Sequence, residues 1–481
     1  MKTLRTDVAI IGAGTAGMTA YRAAAAHTDN LVVIEGGPYG TTCARVGCMP
    51  SKLLIAAAEA AHTARHAQAF GVHAGEVRID GREVMDRVRR ERDRFVGFVV
   101  DSVQAWPQAH RLRGFARFVS PHELQVDDGT RVIADRIVIA TGSSPNVPRG
   151  WRAALGDKLL INDDVFAWQT LPRSVAVVGT GIIGLELALA LHRLGVRVRV
   201  YGRSTRLGPL TDPVLQDVAR ATIGAELSMT LDVEAITPSL DASEQVRIVS
   251  RTRDGHQDTD TFDFLLAAIG RHPNLDGLDL ENAGIPLDAS GLPSVDRNTG
   301  RIGDSHIFLA GDVQDDLQLL HEAADDGRIA GDNAGRFPRV RVRPRRARLS
   351  IVFSDPQIAL AGLTHAELLA AGMRFETGEV SFDDQGRSRV MLKNQGALRV
   401  YGESGSGRFL GAEMVGPAAE HIGHLLAWSA QRGDTVQDML DSPFYHPVVE
   451  EGLRTALRQL QRQLALAAPP PELCLDCAPA A

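Results

Sequence analysis

Two cysteines, Cys43 and Cys48, stand five positions apart in the stretch GTTCARVGCMPSK, which runs from Gly40 to Lys52. Gly47 precedes the second cysteine, Pro50 follows it, and an Ala/Leu-rich run through Ala69 then reads as a helix. Proline is tolerated in a helix's first turn, where its missing N–H has no partner to lose. The pattern therefore puts Cys48 at or just before a helix N-terminus, whose positive dipole end stabilises a thiolate. Such a pair can form, break and exchange a disulfide. The alternative, two buried structural thiols, fits flanking glycines and a helix start less well.

A second constellation lies in FYHPVVEEGL, where Glu451 follows His446 by five residues. An imidazole with a carboxylate in reach can serve as a general base with its orienter, although a histidine alone is more often a packed side chain. The last pair, Cys474 and Cys477, sits in the Pro-rich tail PPPELCLDCAPAA. Its spacing is open to three readings: a dithiol shuttle on a semi-extended arm, inert tail thiols, or half of a zinc site shared by two chains.

These side chains need elements to position them. DVAII, from Asp7 to Ile11, suits a buried parallel strand, GAGTAG spans Gly12 to Gly17, a helical segment runs to His27, and LVVIE closes on Glu35. In this βαβ fingerprint Gly12 allows the tight turn, Gly14 lets backbone approach a pyrophosphate, and Gly17 allows close helix packing. The Glu35 carboxylate stands where ribose hydroxyls bind. The unit recurs: SVAVV from Ser174, GTGIIG with Gly179, Gly181 and Gly184, a helix to Leu194, and a strand from Val196. Glu35 lies 23 residues after Gly12, and Gly202 lies 23 after Gly179. The ribose acid of copy one is thus a glycine in copy two, followed by Arg203 and Arg206. Losing the acid removes repulsion of a 2′-phosphate and arginines can bind one, which favours NADP over NAD at the second site.

Elsewhere the pattern predicts a charged helix from Arg82 to about Ala105, a strand over Phe115 to Val126, and a strand from Arg136 that ends in a Gly/Ser/Pro turn by Pro148. A strand from Phe262 runs to a loop at Arg271 to Asn274, and one from His306 to Val313 delivers Gly311 and Asp312 to a strand end. An Ala-rich helix follows to Ala334, and the basic stretch Arg336 to Arg348 reads as a solvated linker rather than a nucleic-acid contact. The last domain is expected to alternate strands from Val390 and over Gly396 to Val400 with helices over His421 to Gln431 and Val448 to Leu466. The net charge of −7 is small for 481 residues and suggests no nucleic-acid partner. Four cysteines make no disulfide scaffold. No long apolar run suggests a membrane span, the early strand at Asp7 leads to the expectation of no signal peptide, and no resident metal site is expected; a soluble cytoplasmic protein is expected.

With these residues assembled, the chain resembles the FAD-dependent pyridine-nucleotide disulfide oxidoreductases over nearly its whole length, with most similarity to their dihydrolipoamide dehydrogenase branch. Cys43 and Cys48 followed by Met49-Pro50-Ser51-Lys52 resemble that branch's redox motif, and His446-Pro447 with Glu451 resembles the family's C-terminal catalytic pair. Ala140-Thr141-Gly142, Gly270-Arg271-x-Pro273-Asn274 and Ala310-Gly311-Asp312 also match family signatures. The resemblance implies an α/β fold: two Rossmann-like units, FAD in the first and NAD(P) in the second, plus a C-terminal α+β dimerisation domain. The expected division is 1–148 and 266–345 for FAD, 149–265 for NAD(P), 346–468 for dimerisation, and a flexible Cys-x-x-Cys tail over 469–481.

It further implies dithiol/disulfide exchange with a small substrate or a lipoyl protein. Cys48 would lie against the flavin, Cys43 would exchange with substrate, and Glu186 would pair with Lys52 near the flavin. His446 and Glu451 would reach the cysteines of the other chain across a homodimer. Two departures, Gly202 in place of the usual acid and the tail pair, keep a second reading open: an NADPH-dependent reductase of another disulfide or of a thiol-bound metal.

Overall fold

The computed structural model describes residues 2–127 and 129–465 of the chain. Cys474, Cys477, the expected tail over 469–481 and the last residues expected for the third domain lie outside the described residues.

Val8, Ala9 and Ile10 are wholly buried because the strand Thr3–Ile11 lies in the middle of a nine-stranded sheet with covered faces. Five of its strands are parallel, in the order Ile307–Leu309, Arg131–Ile139, Thr3–Ile11, Leu31–Glu35, Arg111–Arg113. The chain leaves Thr3–Ile11, crosses through the helix Thr15–Ala24 to one side, and fills the other side with Arg131–Ile139 only later. That reversal opens a crevice over Gly12 at the carboxyl ends of the strands. The helix Leu320–Arg336 packs on Thr15–Ala24 at glycine distance: a Cβ on Gly327 would stand 2.1 Å from the Ala16 carbonyl oxygen.

A second sheet, all parallel, has the order Ser228–Thr230, Arg197–Tyr201, Ser174–Val178, Phe264–Ala267, Leu159–Leu160. Its register repeats the first. Ile11 pairs with Ile34 and Ile139, and Val178 pairs with Tyr201 and Ala267. The third sheet is antiparallel, from Leu349–Val352 to Phe409–Gly416, and is covered by the helices Ala419–Arg432 and Glu451–Gln463.

Four expectations are corrected. The strand over Phe115 to Val126 is two, Ala116–Ser120 and Glu123–Val126, turned back on each other where Pro121 cannot donate to a ladder. No strand starts at Val390. That residue ends a short helix, Gly386–Val390, which the Gln385 side chain caps by accepting from the Ser388 N–H at 2.7 Å, and the strand begins at Ala397. The helix expected through Ala69 stops at His66 and continues as a 3₁₀ turn, Ala67–Phe70.

The fourth is the basic stretch Arg336 to Arg348, which is no solvated linker. Arg343 Nη2 lies 2.9 Å from Asp332 Oδ2, Arg346 Nε lies 2.9 Å from Asp325 Oδ2, and Arg345 binds both Glu322 and Asp326. Those carboxylates are buried along Leu320–Arg336 and need counter-charges. Against the cost of burial, hydrogen bonds from Arg336, Arg343 and His27 hold the Asp332 carboxyl far below the usual range. The arginines are the other half of an ion lattice.

Candidate active site: a thiol pair between two nucleotide folds

Cys43 lies in a one-turn helix, Thr42–Val46, and Cys48 is the first residue of the helix Cys48–His66. Gly47 joins them, and a Cβ there would crowd the Thr42 carbonyl oxygen at 3.1 Å and Cys43 Cα at 3.2 Å. The tight return brings two free thiols together, Cys43 partly buried and Cys48 exposed. Hydrogen bonding between the two sulfurs favours charge on Cys48. That bond, aided by the Lys52 ammonium, lowers Cys48 to about 7 against the cost of burial. The same bond, reinforced by burial, pushes Cys43 well above the ordinary thiol range. The two sulfurs are thus unlike, Cys48 the more readily ionised and Cys43 the less.

Lys52 lies one turn further along. Its Nζ is 2.7 Å from Glu186 Oε2 and 4.5 Å above the Phe353 ring. Glu186, on the helix Ile182–Arg193 of the second unit, is buried, and its other oxygen accepts from the Phe353 main-chain N–H at 3.0 Å. Segments that belong with the nine-stranded sheet and with each of the two five-stranded sheets therefore meet beside Cys48. Sequence reasoning did not single out Phe353, because nothing local marks a ring that will lie under an ammonium.

The two glycine fingerprints form matching cradles. Gly12 has φ +107° and Gly179 has φ +122°, and a Cβ on either would strike the carbonyl oxygen of Ala140 or Ala268 at 2.4 or 2.1 Å. Gly17 and Gly184 lie equally close to the carbonyl oxygens of Gly12 and Gly179. Gly14 and Gly181 cap the two helices in extended backbone, with nothing within 4 Å of a Cβ position. These are open spaces over helix N-termini, where backbone N–H groups and the helix dipole favour phosphate. Beside the first, Glu35 accepts from the N–H groups of Ala13 and Gly37 at 2.7 Å each, which leaves lone pairs for ribose hydroxyls. The residues present fit FAD in the first cradle and a nicotinamide nucleotide in the second.

At the second cradle Gly202 holds the position of the ribose acid, and Arg203 and Arg206 are exposed beside it. A Cβ on Gly202 would meet Thr180 Cγ2 at 2.8 Å, Leu231 Cδ2 at 2.9 Å and the Ser204 carbonyl oxygen at 3.1 Å. An acid therefore cannot be restored there without moving its neighbours. At the first cradle's strand ends, Ser143 Oγ donates to Asp312 Oδ2 at 3.1 Å and accepts from Arg271 Nε at 2.8 Å. Burial pushes the Asp312 carboxyl up and makes Arg271 easier to deprotonate than usual. Thr141 Oγ1 donates to the Asn274 carbonyl at 2.7 Å, while Gly142 and Gly270 turn at φ +70° and +96°. Gly311, at φ +83°, donates its N–H to Asp326.

His446 is exposed, and its Nδ1 lies 3.0 Å from Glu451 Oε1. Glu451 is buried and also accepts from the Val448 N–H at 3.2 Å and from Arg454 Nη2 at 3.1 Å. The ring is fixed through Nδ1, which leaves Nε2 of this exposed side chain without a hydrogen-bond partner among the described residues. Among the described residues no hydrogen bond or ion pair joins His446 to Cys43 or Cys48 of the same chain.

Paired nucleotide cradles around an activated thiol pair define an oxidoreductase of thiols and disulfides. The chain belongs to the pyridine nucleotide-disulphide oxidoreductases: that family's model matches residues 6–327, and the model of its dimerisation domain matches residues 349–457. Members use FAD and NAD(P), so the chain is a flavoprotein oxidoreductase. It is 30% identical to a dihydrolipoyl dehydrogenase of Haloferax volcanii over 94% of this chain and 95% of that one. It is 31% identical to a mercuric reductase of Shigella flexneri over 95% of this chain and 81% of the other. Among solved structures, the HOCl-induced flavoprotein disulfide reductase RclA from Escherichia coli superposes with a TM-score of 0.79 at 22% identity, covering 96% of this chain and 100% of that one. LpdA from Mycobacterium tuberculosis does so at 0.78 and 24% identity, covering 95% and 99%. Both show the shared fold. Among the described residues no helix is long and apolar enough to cross a membrane.

Proposed function

We propose that the chain is a dihydrolipoyl dehydrogenase-like dithiol oxidoreductase, acting in the cytoplasm as a homodimer on a small dithiol or a lipoyl group. The observation that carries this reading is the placement of Cys43 and Cys48 at a helix start beside the Lys52–Glu186 ion pair. When bound, FAD and the nicotinamide nucleotide supply the two-electron chemistry that reoxidises the dithiol. The chain's own residues do the rest.

A substrate thiolate attacks Cys43 in the Cys43–Cys48 disulfide, the S–S bond breaks, and Cys48 leaves as a thiolate. A leaving thiol of low pKa leaves faster, and the Lys52 ammonium favours the Cys48 thiolate as it leaves. The second substrate thiol then attacks the mixed disulfide. Substrate departs as a disulfide, the Cys43 sulfur departs protonated, and the enzyme holds two added electrons. His446 of the other chain takes the proton from the attacking thiol and returns one to Cys43, with Glu451 fixing its ring. The test is steady-state turnover of dihydrolipoamide with NAD⁺ or NADP⁺, set against reduction of disulfides by NADPH. Turnover of dihydrolipoamide supports the proposal; activity with disulfides and NADPH alone rejects it.

A second reading has its own support in Gly202, the arginines beside it and the mercuric reductase relative. Here the chain is an NADPH-dependent reductase of another disulfide or of a thiol-bound metal, with Cys474 and Cys477 as a second dithiol. A deletion after Ala468 tests it: loss of activity on a bulky acceptor, with small-substrate turnover retained, supports it, and unchanged rates with both reject it.

A further inference from the structure

Asn162 belongs to the second nucleotide-binding fold, yet its side chain reaches into the redox loop of the first. It opens the short helix Asn162–Val165, directly after the edge strand Leu159–Leu160, and is 6% exposed. Its Nδ2 donates to the Val46 carbonyl oxygen at 2.9 Å and to Asp163 Oδ1 at 2.8 Å. Val46 ends the one-turn helix that carries Cys43 and stands two residues before Cys48. A carbonyl at a helix C-terminus has no partner within the helix. The Asn162 amide supplies one, at the point where the chain turns through Gly47 with little room to spare.

The anchor is held in turn. Asp163 is half-buried and pushed up by burial, opposed by Arg271 and by Arg45 of the loop itself. Arg271 is tied through Ser143 to Asp312 at the flavin-side strand ends. Asn162 thus stands between the charged groups beside the first cradle and the main chain between the cysteines.

We infer that Asn162 is a positioning residue for the dithiol: by fixing the Val46 carbonyl it fixes the turn through Gly47 and the approach of the Cys43 S–H to the Cys48 sulfur. It touches neither sulfur and acts only through the main chain. The inference rests on the reading of Cys43 and Cys48 as an exchanging pair. The groups that otherwise set the charge at Cys48 are Cys43, Lys52 and Glu186, and a change at Asn162 alters none of them chemically.

The experiment is alkylation of Cys48 by iodoacetamide in the reduced holoenzyme, read by peptide mass spectrometry from about pH 5 to about pH 10. Asn162→Ala removes the donor and the volume, and Asn162→Leu removes the donor and keeps the volume. Thermal transitions check that both fold, and the volume-preserving variant carries the test if the alanine variant does not. In both, the inflection is expected to rise by about half to one pH unit, the size of one weakened hydrogen bond. Unshifted profiles in both variants overturn the inference, and a shift with alanine but not leucine reduces Asn162 to packing and overturns it too. Failure of the underlying reading looks different: the wild type itself then forms no Cys43–Cys48 disulfide on oxidation.

Discussion

Lys52 Nζ lies 2.7 Å from Glu186 Oε2, an ion pair that joins the helix opening at Cys48 to the helix opening at the second glycine cradle. The charge that favours a Cys48 thiolate is thus held by a carboxylate from the nucleotide unit. Lys52→Met deletes that charge and leaves the buried Glu186 carboxylate facing the thiols, and both changes disfavour the thiolate. The Lys52 charge contributes to lowering Cys48 to about 7, so the alkylation inflection of Cys48 in the variant is expected to lie above that of the wild type, nearer the ordinary thiol value. An unmoved inflection would exclude Lys52 from control of the thiol.

The same lowering has a sign in stability. The folded pKa of Cys48 lies below that of an ordinary thiol, about 9. Its contribution is therefore complete above about pH 9 and is lost as pH falls through about 7. In the reduced enzyme, the difference in thermal midpoint between wild type and Cys48→Ser should shrink across that window. A difference that grows towards acid contradicts a stabilised thiolate.

His446 and Glu451 should separate in their effects. His446 is exposed, so His446→Ala should leave the thermal midpoint near wild type. It should lower dithiol oxidation by about 10²–10⁴-fold, the usual range for a general base, and leave flavin reduction by NAD(P)H intact. Glu451 is buried against Arg454, so Glu451→Ala should also cost stability on the order of 3 kcal/mol. Stopped-flow and thermal melts together check this, and matched effects at both positions would argue against the division of labour.

Arg203→Ala should weaken NADP(H) by roughly ten- to a hundredfold, the value of a charge-assisted hydrogen bond to phosphate, and change NAD(H) little. Titration of both nucleotides against the reduced and oxidised enzyme reads it directly. Gly202→Glu alone should lower the thermal midpoint before it shifts preference, because its Cβ already meets Thr180 and Leu231. Equal loss of both nucleotides on Arg203→Ala would remove the arginine from selectivity.

What could be read in the sequence was what local chemistry dictates. The turn through Gly12 and that through Gly179 need glycine whatever packs around them, and the helix start at Cys48 follows from Gly47 and Pro50. The duplication was legible as a count of residues and reappears as the shared register of Ile11 and Val178 with their neighbours. What escaped was long-range pairing. The acids of Leu320–Arg336 and the arginines of the following stretch look like ordinary solvated charge until the fold buries one set against the other. Asn162 and Phe353 carry no mark in the sequence. Their partners, Val46 and Lys52, lie more than a hundred positions away, and no local pattern announces that distance. At Val390 a run that suits a strand became a helix end because Gln385 caps the segment before it.

The most direct measurement is differential thiol labelling of the oxidised flavoprotein before and after anaerobic addition of one equivalent of reduced nicotinamide nucleotide. Cys43 and Cys48 are expected to be unlabelled together before addition and to become reactive together after it. Labelling of both cysteines that is unchanged by the nucleotide, while the flavin spectrum shows reduction, would contradict this.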